Sequence, residues 1–380
     1  MINLKYCKDC ILPNTRPNLK FDENGICDSA SRTIRQNIDW PSRKKLFEDL
    51  IKDVKKRNAP YDCVIPVSGG KDSTWQVITA LEYGMRPLCV TWKTPVRNEL
   101  GEANLQNLIK LGVNHIDFTV NPEVERVFTL KAFEKYATPL IPMHMAMHAI
   151  PLQIAVSFKI PLVIWGENSA YEYGGDDSLK GSTLTYEWLK KFGVTHGTTA
   201  KDWVDDDLAQ ESLRPYYWPT EQEQKNANVS AIFLGHFFAW DPQFTYKIAS
   251  EHGFMAAEKP KTGYYAFADI DDDFLVTVHH WMKWYKFGMT RLWDNLSIEV
   301  RNGNMSRNEA IKIVAKVGSP IPEYEIEKFC KYIGINLSKF FEIAETFRNL
   351  DIWKKSDDGT WYIPDFLIKD WDWKNQNNRT

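Results

Sequence analysis

Hydrophobic residues along this chain fall into short continuous runs that alternate with stretches of helical spacing. The run Asp62 to Val67, DCVIPV, carries almost no polar alternate position, which is how a strand buried on both faces reads. It is followed by SGGK and then by DSTWQVITALEY, where Trp75, Val77, Ile78 and Leu81 supply one face of a helix. The same pattern predicts strands over Pro87 to Trp92, His115 to Val120, Leu162 to Trp165 and Val229 to His236. Helices are predicted over Glu102 to Leu111, Glu123 to Tyr136 and His144 to Phe158. Such alternation predicts an α/β fold, a parallel sheet with helices on both faces.

Around that centre the texture changes twice, giving an expected division into residues 1–40, 41–270 and 271–380. The first segment is a small knob in which Cys7, Cys10 and Cys27 stand among Pro13, Pro17 and Gly25, a turn-rich setting. The last is helical and aromatic, with a helix predicted over Ser306 to Val317 and a tail, WDWKNQNNRT, expected to fray. Residues 168–228, rich in Gly, Asp and Ser, read as a long excursion that serves as a lid or substrate loop.

Composition narrows the function classes. With 380 residues, 43% of them hydrophobic, the chain can bury a sizeable core. Lys and Arg (47) nearly balance Asp and Glu (50), so the net charge of -3 gives no global field toward nucleic acid or an anionic membrane. Six cysteines are too few for a disulfide framework, and MINLKYCKDC lacks the order of a signal peptide. No run approaches the roughly 18 unbroken apolar residues of a spanning helix. The expectation is a cytoplasmic protein with no membrane insertion and no nucleic-acid partner.

The chemistry concentrates at Ser68-Gly69-Gly70-Lys71-Asp72-Ser73, directly after a buried strand and before a helix. Two glycines allow close backbone approach to an anion, and the helix start presents free N–H groups, so the expected ligand is a phosphate. The loop is not a Walker A motif: Ile65 stands where its first glycine belongs, and Asp72 follows Lys71 where Ser or Thr would meet magnesium. Gly166, Glu167 and Asn168 follow the strand ending at Trp165, on the carboxyl edge where open sheets bind ligands. The run Asp271, Asp272 and Asp273 reads either as a source of a carboxylate for magnesium or a base, or as a solvated turn.

SGGKDS resembles the loop of the PP-loop ATP pyrophosphatases, of the adenine nucleotide alpha hydrolase-like fold, which adenylate a substrate oxygen and release pyrophosphate. Further segments, YCKDCILPNTRPNLKFDENGICD, VTWKTP, IWGENSAYEYGG, DIDDDF and KFGMTRLWDNLSIEVRNGNMSRNEAI, are similar to the N-acetyl sugar amidotransferases of surface-polysaccharide (LPS O-antigen) biosynthesis. That resemblance implies conversion of an acetamido group on a nucleotide-linked N-acetyl sugar into an acetamidino group, with ATP and Mg2+ as cofactors. It also implies ammonia supplied by glutaminase and cyclase-like partner subunits. Carried onto this sequence, Ser68, Gly69, Gly70, Lys71, Asp72 and Ser73 would hold the β- and γ-phosphates. Val90, Thr91 and Trp92 would meet adenine through backbone groups, or be an ordinary buried strand end. Gly166, Glu167 and Asn168 would serve nucleotide or magnesium. Lys71, Asp72 and Asp271 are the candidate catalytic residues. Alternatives that keep the fold are a tRNA-modifying enzyme of thiolation or lysidine type, and a non-catalytic nucleotide-binding scaffold.

Cys7-x-x-Cys10 with Cys27 makes three quarters of a structural zinc ribbon. The fourth cysteine usual in the resembled family falls at Ala30; Asp28, a histidine or water would have to complete a Zn2+ site, or the knob holds no metal. Cys63, Cys89 and Cys330 sit in apolar or helical runs and read as core. His144 and His148 have metal-compatible spacing, but the methionines around them favour packing near the site.

Overall fold

The computed structural model describes residues 3–29, 37–174 and 177–374. Ala30, Gly175 and the end of the tail from Asn375 therefore lie outside the described residues. Strands β1 (Cys63–Pro66), β2 (Pro87–Trp92), β3 (Asn114–Phe118), β4 (Leu162–Trp165) and β5 (Ser230–Phe233) form one parallel sheet in the order β3-β2-β1-β4-β5. Alternation along β1 explains why it looked apolar throughout. Cys63 and Ile65 enter a core with Phe47, Trp75, Leu105 and Leu162 on one face. Val64 enters another with Phe128, Ile141 and Ile150 on the opposite face.

Helices α1 (Trp40–Lys56), α2 (Lys71–Glu82) and α3 (Glu99–Ile109) cover the first face, while α4 (Pro122–Tyr136) and α5 (Leu140–Phe158) cover the second. Local chemistry sets their starts. Asn98 accepts from Gly101 N, which begins α3 three residues earlier than the apolar spacing predicted, and Asn121 with Pro122 at the first position starts α4. Helix α5 is apolar and long enough to cross a bilayer, yet most of it is buried: Ile141, Ala149 and Ile150 are almost fully enclosed, so it is a core helix.

The excursion folds into the short helices α6 (Ser169–Tyr173), α7 (Tyr186–Phe192) and α8 (Glu221–Ala227). It also covers the sheet edge: Phe233 N donates to Ser182 O (2.8 Å) and Leu184 N to Ala231 O (3.0 Å), so β5 exposes no free ladder. After α9 (Pro242–Glu251) come α10 (Leu275–Phe287), α11 (Arg291–Asn302), α12 (Arg307–Val317), α13 (Glu323–Ile333) and α14 (Leu337–Thr346). Their shared core holds Trp281, Trp284, Trp293, Phe329, Phe340 and Trp353. The expected fraying of the tail is corrected at its beginning. Trp371 is buried, and Trp373 stacks on Trp284 at 6.3 Å, because the aromatic core offers these indoles a surface.

The N-terminal knob packs on these helices. Arg307 Nε donates to the carbonyls of Cys7 (3.1 Å) and Cys10 (2.7 Å), and Thr15 donates to Phe287 O (2.6 Å). In the loop after β1, Gly69 has φ +86° and its α-carbon lies against α3, where a β-carbon would come 2.5 Å from Leu105 N. Gly70, at φ -69°, has only Ser68 Oγ at 3.2 Å from such an atom. Gly69→Ala is therefore expected to lower unfolding free energy by about 2–4 kcal/mol, from left-handed strain plus a backbone clash, and Gly70→Ala by much less. Denaturant titration of the two variants checks this; equal stability would contradict the close approach.

Candidate active site

The sheet order places a topological switch point between β1 and β4, and the loops that leave these strands face each other across it. Val67 N donates to Val90 O (2.9 Å) and Thr91 Oγ1 to Val67 O (2.6 Å), which ties the start of the phosphate loop to β2. Gly70 caps α2 without a side-chain acceptor, leaving the helix start available to an anion. A cavity of about 320 Å³ opens here, lined by Ser68, Asp72, Ser73, Val90, Thr91, Trp92, Gly166, Glu167, Asp271 and Asp272, together with His144 and His148. Candidates spread over two hundred positions of sequence thus meet at one place.

Buried Lys71 and half-buried Asp72 form an ion pair at 2.6 Å. The second carboxylate oxygen of Asp72 accepts from Trp240 Nε1 (3.0 Å) and Thr245 Oγ1 (3.0 Å), and Lys71 Nζ lies 5.5 Å from the Trp240 ring centre. Burial pushes the Asp72 carboxyl up, but Lys71, Trp240 and Thr245 outweigh it and hold it below the usual carboxylate range. Across the cavity, burial and then the charge of Asp72 push Glu167 up to about 7. At Gly166, just before it, an added β-carbon would lie 2.6 Å from the Gln76 amide, so that side chain would have to shift.

The three aspartates separate by role. Asp271 lines the cavity, and burial raises its carboxyl while the Ser68 hydroxyl draws it back. Asp272 also lines the cavity, yet it is 2% exposed and accepts from Val276 N at the start of α10 (3.0 Å); burial pushes it up to about 7. Asp273 pairs with Lys328 at 2.5 Å, outside the cavity. Three other side chains are spent within the fold. Asn168 donates to the carbonyls of Leu179 and Gly181 and accepts from Ala170 N and Trp188 Nε1, which exhausts its amide and leaves nothing for a nucleotide or a metal. Thr91 Oγ1 is shared between Val67 O and His115 Nε2, so only backbone groups of the β2 end remain for a base. Ser73 Oγ donates to Gly70 O (3.0 Å). His148 stacks on Trp165 at 4.5 Å and donates through Nδ1 to His144 O, a packing role beside the site.

Past Met143, His144, Glu167, Ser169 and Phe192, which belong to both walls, lies a chamber of about 640 Å³. Its lining is cationic: Arg16 from the knob, Lys190 and Lys191 from the excursion, Lys283 and Lys286 from α10, and Arg291 from α11, against Glu167 and Asp269. Asp294, buried behind it, pairs with Arg16 (2.8 Å) and Lys283 (2.7 Å) and fixes their positions. Tyr173 lies between Arg16 and Arg291, 5.1 Å and 5.8 Å from its ring centre. Burial lowers Lys286 to about 8, and an anion that enters would raise it again by favouring the charged form. Arg16, Tyr173, Lys286, Arg291 and Asp294 fall within segments that carry the family resemblance, but nothing in those segments assigned them a role.

The knob cysteines also converge. The sulfurs of Cys7, Cys10 and Cys27 lie within 4.8 Å of one another, with Ser29 Oγ 3.2 Å from Cys27 Sγ. Backbone N–H groups of Cys10 (3.4 Å) and Cys27 (3.3 Å) point at Cys7 Sγ, an arrangement that favours thiolate. Cys63, Cys89 and Cys330 are buried in the core.

The glycine-rich loop lies at the carboxyl edge of a parallel α/β sheet, directly before a helix start. Residues 261–367 match the family described as "LPS biosynthesis protein WbpG-like, C-terminal domain". An uncharacterized protein of Methanocaldococcus jannaschii is 27% identical over 86 residues, 22% of this chain; the match spans 31% of that relative's length. Among solved structures, a predicted subunit of tRNA methyltransferase from M. jannaschii is 16% identical, with 53% of this chain and 78% of that one covered and a TM-score of 0.30. NMN synthetase from Francisella tularensis is 13% identical, with 59% and 100% covered and a TM-score of 0.27.

Lys71→Met and Asp72→Asn are each expected to keep the fold and lower ATP-dependent turnover at least about 100-fold, the scale of losing a preorganised charge contact. Circular dichroism and AMP release check both halves; near-normal turnover in either variant would remove the pair from the site.

Proposed function

We propose that the protein is an ATP-dependent amidotransferase synthetase that converts the acetamido group of a nucleotide-linked N-acetyl sugar into an acetamidino group. One observation carries the reading: the phosphate-loop cavity shares Glu167 and His144 with the wall of a cationic chamber of small-molecule size. ATP occupies the first compartment with its phosphates at the start of α2, and the diphosphate of the sugar donor occupies the second. Such an arrangement favours a small, doubly charged substrate over a folded tRNA.

In the first step the acetamido oxygen attacks the α-phosphorus, a P–O bond forms, and pyrophosphate departs with the electron pair of the bond that breaks. Ammonia then adds through its lone pair to the imidate carbon. The C–O bond breaks toward AMP, which carries away the former amide oxygen, and the added nitrogen gives up a proton. Lys71 and the loop amides stabilise charge on the departing phosphates. Asp72 and Glu167 are the carboxylates that would hold magnesium: both line the cavity, and burial, then the charge of Asp72, raises Glu167 in its absence; when bound, the ion would neutralise the leaving pyrophosphate. Asp271 is the carboxylate placed to take the proton.

Nitrogen must come from outside this chain as ammonia. Each of the six cysteines is buried, three in the knob cluster and three in strands or a helix of the core, so none is placed as a glutaminase nucleophile. Glutaminase and cyclase-like partner subunits would fill that need. The knob cysteines fit Zn2+ in a structural role, with the Ser29 hydroxyl beside the open position.

Incubation with ATP, ammonium and UDP-acetamido sugars is expected to give AMP and pyrophosphate with an amidino product, and glutamine alone is expected to give none. Accumulation of ADP and phosphate, or turnover on glutamine in ammonia-free buffer, would sink the reading. Metal analysis of the purified chain is expected to find zinc that Cys27→Ser removes together with several degrees of thermal stability. A zinc-free unsubstituted protein would leave the cluster as thiols only.

A further inference from the structure

An adenylation between two compartments needs one place where an atom of the sugar reaches the α-phosphorus of ATP. Among the described residues the two walls share Met143 and His144 of α5, Glu167 and Ser169 after β4, and Phe192 at the end of α7. All five are half-buried, as expected of side chains that border open space. Their chemistry is mixed. Glu167 is the carboxylate given to magnesium above, whereas Met143 and Phe192 are apolar and His144 and Ser169 are polar without a fixed charge.

Neighbouring rings hold the two bulkiest of the five. His144 stacks with His148 at 6.0 Å between ring centres, and His148 lies in turn on Trp165 at 4.5 Å. Phe192 packs on Trp188 at 5.9 Å, and the Trp188 Nε1 donates to Asn168 Oδ1 (2.8 Å). Side chains already committed to the fold thus keep the imidazole and the phenyl ring in place on opposite elements of the shared wall.

The imidazole has a defined state. Nδ1 of His144 is enclosed, so a ligand meets the ring through Nε2. Burial, then the neighbouring His148, lowers the ring to about 3, which leaves it uncharged and able to accept a hydrogen bond. An acetamido group has the matching parts: a methyl for Met143 and Phe192, an N–H for Nε2, and a carbonyl oxygen left free for phosphorus. A hydrogen bond accepted from the amide N–H polarises the amide toward that oxygen, the atom that has to attack.

We propose that this shared wall is the acetamido pocket, in which Met143 and Phe192 hold the methyl and set the acyl length while His144 accepts the amide N–H. The inference rests on the amidotransferase reading and adds to it the residues that select the acyl group. Sugar-dependent exchange of labelled pyrophosphate into ATP tests it, measured with a UDP-acetamido sugar and with its N-propionyl counterpart, because the ratio of the two rates is insensitive to a general loss of activity. The unsubstituted chain is expected to prefer the acetyl form at least about tenfold, the scale of one methylene in an apolar pocket, and Phe192→Ala and Met143→Ala to lower that preference several-fold. His144→Leu is expected to reduce exchange with the acetyl sugar at least about tenfold, and His144→Gln, which keeps an acceptor, to recover part of it. A ratio unchanged in both alanine variants overturns the methyl pocket. Normal exchange in His144→Leu, or no gain of His144→Gln over it, overturns the hydrogen bond. Absence of exchange with either sugar in the unsubstituted chain overturns the function reading itself, and the pocket with it.

Discussion

The pair of buried Lys71 and half-buried Asp72 is the contact on which the site depends. A lysine removed from water at the first turn of a helix is tolerable only if a partner neutralises it and that partner is itself hydrogen-bonded. Asp72 meets that condition through Lys71 on one oxygen and Trp240 with Thr245 on the other. Those last two bonds bring α9 against α2, so the segment after β5 is positioned by the same carboxylate that faces the cavity. Gly69 completes the arrangement from the backbone side by letting the loop touch α3.

From that pair the charge distribution propagates outward. Burial, then the charge of ionised Asp72, raises Glu167 across the cavity, and among the described residues Glu167 is the only carboxylate common to the walls of both compartments. On its nucleotide side lie further acids, Asp271 and Asp272; on its other side the lining turns cationic. A cation fits the first setting and an anion the second, which is the polarity a reaction between ATP and a second phosphorylated substrate requires.

What could be read from the sequence was what is local. The strand, loop and helix from Cys63 to Glu82 are legible because period, glycines and helix start all lie within twenty residues of one another. The ends of α3 and α4 shifted only where Asn98 and Pro122 overrode apolar spacing. Trp240 and Thr245 could not be foreseen, since they stand 168 and 173 residues from Asp72 and carry no motif. Asn168 looked like a ligand because of where its strand ends, and packing of the excursion consumed its amide instead. The net charge of -3 hid a cationic chamber whose members come from four separate regions.

That dispersal has a consequence for how the parts of the chain depend on one another. Arg16 comes from the knob, Lys190 from the excursion, Lys283 and Lys286 from α10 and Arg291 from α11, and Asp294 holds two of them at once. Thr15 and Arg16 tie the knob to α10 and α11, the helices that wall the chamber, and Arg307 of α12 holds it from another side. Under the proposed function, a cysteine cluster that orders the knob would act on recognition of the second substrate without touching it, by fixing where Arg16 stands. The phosphate-loop cavity takes its groups from the sheet edge, the loop and the Asp271 turn instead. Binding of ATP and of the second substrate would then be separable in the architecture, with Glu167 in the walls of both compartments.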